Sequence, residues 1–150
     1  ANFNSPGQIV ISGSVEGVRK AMEIAKRRGA KLVKELVVSG AFHSPHMESA
    51  KEGLRQALES TQIHDARIPV YANVTAEPVT KAPEIRDLLY RQVTSPVRWE
   101  QSIRNMVRDG AGMFYEVGPG KVLQGLIKRT ESGVQTAGFD KVTDLQTVVS

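Results

Sequence analysis

The chain has 150 residues, of which 40% are apolar and 24% are charged, and its formal net charge is +4. This composition argues against a disordered or fibrous chain, because so many apolar residues at this length can fill the core of one ordinary domain. The lack of cysteine excludes disulfides, thiolate metal sites and a cysteine nucleophile, and it fits a reducing cytoplasmic environment. No apolar run approaches the roughly 18 residues that cross a bilayer, so we expect no membrane partner.

Basic residues only slightly outnumber acidic ones, 20 to 16. This bias favours an acidic partner at encounter distance but is far below the charge of a nucleic-acid-binding domain. Two basic clusters, residues 26–28 and 128–129, fall at the ends of predicted helices, where cations complement the negative end of the helix dipole. Aromatic residues make up only 5% of the chain, which does not support a stacking surface for single strands. We therefore expect no nucleic-acid partner.

The first forty residues predict a strand, a helix and a second strand. Residues 8–12 are a short β-branched run that predicts a buried strand. Ser14 can cap the helix that follows, and Gly29 lies just past its end. Residues 31–38 are again apolar and predict another strand. This alternation is typical of an α/β or α+β unit.

Small residues at 39–45 interrupt the alternation, and further elements follow them. Pro96 after Ser95 predicts the start of a helix that continues to Gly110, because proline is favoured in the first helical turn. The other predicted elements are helices at 47–60, 84–92 and 121–129 and strands at 68–74, 113–117 and 134–139.

The three histidines are the first candidates for chemistry, because imidazole titrates near neutral pH and is the commonest proton shuttle. His64 stands in a polar connection and is expected at the surface. His46 follows His43 by three residues, but Pro45 between them weakens the geometry of a shared metal site, and we expect no metal. His43 lies in a loop between a predicted strand and a predicted helix, where active-site residues concentrate. The residues alone allow either a structural or a catalytic role for His43.

A catalytic histidine needs a group to deprotonate, and the natural candidate is a serine in a G-x-S-x-G turn. No serine of the chain has glycine both two residues before it and two residues after it. Ser14 is better explained as a helix cap. The run from Gly118 to Lys121 lacks the spacing of a phosphate-binding loop, and we expect it to be the turn between a strand and a helix.

Five motifs occur along the chain in a recognisable order. They are NFNSPGQ at 2–8 running into VISG at 10–13, GAFHSP at 40–45, ANVT at 72–75, QVTSPVRW at 92–99 and YEVGPGKVL at 115–123. The set closely resembles the malonyl-CoA:acyl carrier protein transacylases of bacterial fatty acid synthesis. The motifs cover nearly the whole chain and match only the C-terminal half of the family's chain.

The resemblance implies an α/β fold of two parts. In this family an α/β-hydrolase-like large domain carries an inserted ferredoxin-like small subdomain. Residues 1–38 would be the end of the small subdomain, and residues 39–150 would be the C-terminal part of the large domain. Because the chain does not begin with methionine, we expect it to be a processed or excised piece of a longer protein.

The resemblance also assigns roles to five residues. His43 matches the catalytic histidine, whose Nε2 takes the proton of the attacking serine and returns it to the departing thiol. Gln92 stands where the family places the main-chain carbonyl that orients the other ring nitrogen. Phe42 implies selection of malonyl over branched units, because its ring would fill the space of a 2-methyl group, although simple core packing is compatible with it. Asn2 and Asn4 match the mouth of the active-site cleft and are expected on the substrate side, although Asn4 also suits an ordinary turn.

The implied reaction moves a malonyl group from malonyl-CoA to the phosphopantetheine thiol of acyl carrier protein through a seryl acyl-enzyme. Coenzyme A belongs to the substrate, and no separate cofactor is expected. The family's nucleophilic serine, its malonate-binding arginine and its oxyanion-binding glutamine have no matching position in this chain. We therefore expect the N-terminal half of the enzyme as a partner and no activity of the chain alone. The mild positive charge suits acyl carrier proteins, which are typically acidic.

Two alternatives stay open at this point. One is a non-catalytic domain that keeps the acyltransferase shape and only docks a carrier protein. The other is an acyltransferase module of a polyketide-type synthase, which flanking ketosynthase or carrier sequence would favour.

Overall fold

A computed structural model describes residues 1–145, in which helices and short strands are mixed along the chain. The helices are α1 (Val15–Arg27), α2 (Glu48–Ser60), α3 (Ala82–Gln92), α4 (Trp99–Arg108), α5 (Val122–Thr130) and α6 (Val142–Leu145), with a 3-10 turn at Pro45–Met47. The strands are β1 (Asn2–Ser5), β2 (Gln8–Val10), β3 (Val70–Tyr71), β4 (Pro78–Val79), β5 (Met113–Val117) and β6 (Gln135–Phe139). Residues 146–150, the end of the predicted segment 39–150, lie outside the described residues.

The described strands form three separate pairs. β1 and β2 are an antiparallel hairpin that turns at Gly7, whose φ of 75° is a left-handed conformation that glycine adopts without steric cost. β3 and β4 are a second antiparallel pair, and the predicted strand at 68–74 is reduced to the two residues of β3. β5 and β6 run parallel, and α5 connects them. The strand, helix and strand predicted within 113–139 are thus confirmed.

Helix α1 follows the sequence prediction closely. The hydroxyl of Ser14 accepts a hydrogen bond from the N–H of Gly17 at 3.1 Å, which satisfies a free donor of the first turn. Lys26 and Arg27 lie in the last turn, and Gly29 follows with a φ of 85°. No residue of α1 is buried, so the described residues cover its apolar face only in part.

Residues 31–38 do not form a strand, contrary to the prediction. They pair with none of the described strands, and an apolar run without a partner has no sheet in which to place its backbone N–H and C=O groups. Leu32 and Val37 are exposed at 84% and 105% of their reference areas. The strand predicted at 8–12 is also not buried, since Ile9 on β2 is largely exposed. Both runs are apolar without being covered by the rest of the described chain.

Helix α4 begins at Trp99 and not at the predicted pair 95–96. A long-range backbone contact explains the difference. The N–H of Phe3 donates to the carbonyl of Val97 at 2.9 Å, and the N–H of Val97 donates to the carbonyl of Ala1 at 2.7 Å. These bonds keep Val97 extended beside β1, a strand that the sequence analysis missed.

The core of the described residues has two small centres. One joins Val74, Val79 and Leu88 across the β3–β4 pair and α3. The other lies where α4 meets α5, and there Ile103 and Ile127 are almost completely buried. Every helix within residues 1–145 is too short or too polar to cross a bilayer.

Candidate active site

His43 lies in the loop that leads into the 3-10 turn at Pro45–Met47, and it is half-buried. Its φ of 58° falls in the left-handed region, which costs a non-glycine residue roughly 1–2 kcal/mol but which histidine occupies more often than most residues do. Such backbone strain persists only where surrounding contacts fix the chain, and it concentrates at functional sites. We therefore expect contacts from neighbouring residues to hold the backbone of His43 in this conformation.

The ring of His43 is held by Gln92, the last residue of α3. Nδ1 of His43 lies 3.1 Å from the main-chain carbonyl oxygen of Gln92, which also accepts from the N–H of Ser95 at 3.3 Å. Carbonyl groups at a helix end lack intrahelical donors, so this oxygen is available to a ring. Because a carbonyl oxygen only accepts, the contact favours the tautomer with its proton on Nδ1. Ring Nε2 then carries the lone pair that a general base needs.

The side chain of Gln92 also reaches the ring. Its Nε2 lies 3.3 Å from Nδ1 of His43 and donates to the carbonyl of Ser95 at 3.3 Å. Since Nδ1 has a single donor or acceptor position, the amide and the main-chain carbonyl of Gln92 compete for it. The shorter distance belongs to the carbonyl, which we take as the principal partner.

Two serine hydroxyls fix the peptide groups just before His43. Ser44 is buried, and its Oγ donates to the carbonyl of Ala41 at 2.6 Å while accepting from the N–H of His46 at 3.3 Å. Ser12 reaches the loop from outside it, donating from Oγ to the carbonyl of Phe42 at 2.6 Å. Sequence reasoning gave neither serine a role, because nothing local in the sequence shows that Ser12 approaches the loop.

Phe42 is half exposed and does not belong to the core of the described residues. Its ring lies over Gly40, where an added Cβ would meet it at 3.4 Å. Asn2 and Asn4 lie on β1 and are half-buried, and neither hydrogen-bonds to His43 within residues 1–145. The structure thus brings Gln92 to His43, whereas no hydrogen bond within residues 1–145 joins either asparagine to that ring.

The Gly118-Pro119-Gly120 turn is bounded by Glu116, to which the sequence analysis gave no role of its own. Its carboxylate accepts hydrogen bonds at 3.1 Å from the N–H groups of Leu123 and Gln124 in the first turn of α5. Loss of hydration raises the pKa of Glu116, but the N–H donors of Gln124 and Leu123 outweigh it and the pKa is lowered overall. The residues at 118–120 therefore form a turn, and the two hydrogen bonds of Glu116, which we call the Glu116 clamp, join the strand before it to the first turn of α5.

Other groups do not add to the site. An open cavity of about 390 Å³ lies between β1 and α4, lined by Phe3, Arg98, Glu100 and Gln101, and His43 is not among its lining residues. Among residues 1–145, no cluster of three or more histidine, aspartate or glutamate side chains could hold a metal ion. His64 is exposed, as predicted.

Comparisons with known sequences give a consistent result. Residues 1–144 match the model of the acyl transferase domain. The chain is 45% identical over 148 residues to the malonyl CoA-acyl carrier protein transacylase of Bacillus subtilis (strain 168), covering 99% of this chain and 46% of that protein. It is 42% identical over 147 residues to the transacylase of Haemophilus influenzae, covering 98% and 47%. The chain spans about half the length of the curated relatives it matches.

Solved structures agree with these matches. The acyl-carrier-protein-S-malonyltransferase of Bartonella henselae superposes with a TM-score of 0.94 at 35% identity, covering 99% of this chain and 48% of that one. A structure of a type II PKS acyl-carrier protein in complex with its malonyl-transacylase matches with a TM-score of 0.92 at 37% identity, covering 98% and 48%. The mixed arrangement of helices and strands described above is therefore shared with acyl transferase structures.

Proposed function

The chain belongs to the acyl transferase domain family, and from this premise we propose that it is the histidine-bearing half of a malonyl-CoA:acyl carrier protein transacylase. The reaction transfers a malonyl group from coenzyme A to the phosphopantetheine thiol of acyl carrier protein, as in fatty acid synthesis. The names of the Bacillus and Haemophilus relatives support this assignment.

The observation that carries the proposal is the pairing of His43 with the carbonyl of Gln92. Nδ1 is oriented by an acceptor at 3.1 Å, and ring Nε2 has the lone pair of a general base. The left-handed backbone of His43 supports the proposal, because such strain is frequent at functional sites, where a catalytic histidine needs a fixed ring. A carbonyl partner orients the imidazole but stabilises its cation less than a carboxylate would.

In the proposed reaction His43 transfers one proton in each of two half-reactions. Nε2 of His43 accepts the proton of a serine hydroxyl as the serine oxygen attacks the thioester carbonyl. The carbon–sulfur bond then breaks, and Nε2 returns the proton to the departing coenzyme A sulfur, which leaves a malonyl ester on the serine. In the second half-reaction Nε2 takes the proton of the phosphopantetheine thiol, sulfur attacks the ester, and the serine oxygen regains its proton.

The attacking serine, the arginine for the malonyl carboxylate and the glutamine for the oxyanion would come from the N-terminal half of the enzyme. The exposed apolar side chains of this chain support such a partner, because apolar surface that a chain's own residues leave uncovered is typical of contact surfaces. Leu32, Val37 and Ile9 are among the side chains that the described residues leave uncovered. The complete enzyme, meaning this chain joined to its N-terminal half, is therefore the active species that we propose.

The finer features of the resemblance belong to the same proposal. Residues 1–38 would end a ferredoxin-like subdomain, and residues 39–150 would continue an α/β-hydrolase-like large domain. Phe42 would restrict the acyl pocket to malonyl, and its exposure leaves the ring available to a substrate. Asn2 and Asn4 would face the substrate from the mouth of the cleft.

A labelling experiment tests the proposal. Malonyl-CoA labelled in the malonyl group is mixed with this chain alone, with the complete enzyme, and with a complete enzyme that carries His43→Ala. We expect acid-stable protein label and its transfer to acyl carrier protein only with the complete enzyme of natural sequence. No label in any sample would favour the docking domain without catalysis, and label on the isolated chain would show that it holds its own nucleophile.

A carrier protein of polyketide synthesis is a second candidate acceptor. The observation in its favour is the similarity to a transacylase bound to a type II PKS acyl-carrier protein. Competition between the two kinds of carrier protein for the labelled enzyme separates the candidates, because the true partner accepts the malonyl group faster at equal concentration.

A further inference from the structure

We propose that Ser12 is a positioning residue for His43, and that it acts through the main-chain carbonyl of Phe42. This inference rests on the proposed function, because positioning matters only if His43 moves a proton. Ser12 lies 30 residues before Phe42 in the chain and outside the loop that carries the histidine.

The first step of the argument is the geometry of the contact. Oγ of Ser12 donates to the carbonyl oxygen of Phe42 at 2.6 Å, a short distance for a hydroxyl hydrogen bond. The carbonyl of Phe42 belongs to the peptide group that contains the nitrogen of His43. The direction in which the imidazole leaves the backbone depends on the orientation of this peptide plane and on φ of His43, and the bond from Ser12 fixes the first of the two.

The second step is that the backbone of His43 needs such a restraint. With φ at 58°, His43 occupies a region that costs roughly 1–2 kcal/mol outside glycine, and an unrestrained loop would relax to negative φ. Ser44 holds the preceding carbonyl, that of Ala41, from within the loop. Only the bond from Ser12 acts on the peptide directly attached to His43 from a different part of the described chain.

The third step is that regular secondary structure flanks Ser12 on both sides, whereas none directly precedes the loop of His43. Residues 31–38 form no regular element, so no helix or hydrogen-bonded strand leads directly into the loop before His43. Ser12 stands between the end of β2 at Val10 and Ser14, the cap of α1. The β1–β2 hairpin on one side and the capped helix α1 on the other hold the backbone of Ser12. Its hydroxyl therefore restrains the carbonyl of Phe42 from a fixed position.

Ser14 provides a matched control, because it is a serine of the same connection whose hydroxyl, among residues 1–145, bonds only to α1. Ser14→Ala removes the helix cap and lowers stability without touching the loop. If Ser12 served only the fold, Ser12→Ala would behave in the same way. The two variants therefore separate a loss of stability from a loss of ring position.

The test compares Ser12→Ala, Ser12→Thr and Ser14→Ala in the complete enzyme. We expect Ser12→Ala to lower kcat for malonyl transfer about tenfold with the KM for malonyl-CoA changed less than about twofold, since a small misplacement of a catalytic group slows the chemical step. Ser12→Thr keeps the hydroxyl and restores kcat. Ser14→Ala lowers the melting temperature and leaves kcat unchanged. Natural kcat in Ser12→Ala, a fall that Ser12→Thr does not restore, or an equal fall in Ser14→Ala would overturn the inference.

Nitrogen NMR of His43 in the complete enzyme gives an independent measurement. We expect the natural enzyme to hold the tautomer with the proton on Nδ1 and Ser12→Ala to show a mixture of both tautomers, because the ring moves away from the carbonyl of Gln92. An unchanged tautomer in Ser12→Ala contradicts the inference. If the natural complete enzyme transfers no malonyl group, the proposed function fails, and this tautomer measurement still decides whether Ser12 positions the ring.

Discussion

Nδ1 of His43 lies 3.1 Å from the main-chain carbonyl of Gln92, 49 residues further along the chain. The contact joins the loop of His43 to the end of α3, and it pairs a hydrogen-bond acceptor with a donor. The end of α3 leaves a carbonyl oxygen without an intrahelical donor, and the loop leaves a ring nitrogen that needs an acceptor. The imidazole is thus oriented by a carbonyl, and within residues 1–145 it forms no ion pair with a carboxylate.

Removal of the imidazole tests this relationship most directly. We expect His43→Ala in the complete enzyme to lower kcat for malonyl transfer by about 10²- to 10⁴-fold, the range that general acid–base groups contribute. The chain should fold normally, because His43 is only half-buried. His64→Ala is the control, since His64 is exposed and lies in another connection. Steady-state transfer to acyl carrier protein measures both variants, and natural activity in His43→Ala would refute its assigned role.

The side chain of Gln92 can be separated from its main-chain carbonyl. Gln92→Met removes the amide that lies 3.3 Å from Nδ1 but keeps the carbonyl at the end of α3. Because the carbonyl is the principal partner, we expect malonyl transfer to fall less than about fivefold, the scale of one modest hydrogen bond. Nitrogen NMR of the ring should show the same tautomer as in the natural chain. A loss as large as that of His43→Ala would instead assign the orientation to the amide.

Away from the active site, the buried side-chain amide of Asn105 hydrogen-bonds to a second residue with a left-handed backbone conformation, Ala76. Nδ2 of Asn105 donates to the carbonyl of Ala76 at 2.8 Å and to Glu77 at 3.0 Å, and Ala76 is fully buried with a φ of 62°. We expect Asn105→Ala to lower the free energy of unfolding by about 1–3 kcal/mol, because it leaves a buried carbonyl without a donor. Urea unfolding measures the change. Gln62→Ala, which truncates an exposed amide in the connection between α2 and β3, should cost much less, and equal losses would contradict this account.

Local signals predicted several elements of the fold. The cap at Ser14 and the glycine at 29 delimit α1, and both lie where the sequence placed them. The five motifs identified the family, and the match of residues 1–144 to the acyl transferase domain confirms it. These features could be predicted because each depends on residues that are close in the chain or on a motif of several consecutive residues.

Long-range contacts account for the elements that the sequence did not predict correctly. Whether residues 31–38 form a strand depends on a partner strand, which the run itself cannot reveal. The late start of α4 depends on backbone bonds from Ala1 and Phe3 to Val97, nearly a hundred residues away. In the site, the nearness of His43 and Gln92 was expected only through the resemblance, and the catalytic role of His43 stays a prediction.

The Glu116 clamp at the start of α5 makes the stability of the chain depend on pH. The pKa of Glu116 is lowered from its ordinary value of 4.5, because the N–H groups of Gln124 and Leu123 stabilise its carboxylate more than lost hydration destabilises it. A lowered pKa in the folded state means that the carboxylate stabilises the fold above the unfolded value and that this contribution is lost as the pH falls through the folded value. The melting temperature should therefore decrease as the pH is lowered below about 4.5.

Glu116→Gln isolates this contribution. The amide keeps the shape but accepts more weakly from the two N–H groups and carries no charge at the helix start, so we expect a melting temperature lower by a few degrees at pH 7. As the pH falls from about 4.5 the gap between the variant and the natural chain should narrow, because the contribution of the natural carboxylate is lost as the pH approaches the lowered pKa of the folded state. Glu59→Gln is the control, since this exposed glutamate pairs with Arg55 on the surface of α2. Thermal unfolding from pH 3 to pH 7 measures the difference, and a gap between Glu116→Gln and the natural chain that stays constant across this range would contradict the role of the carboxylate.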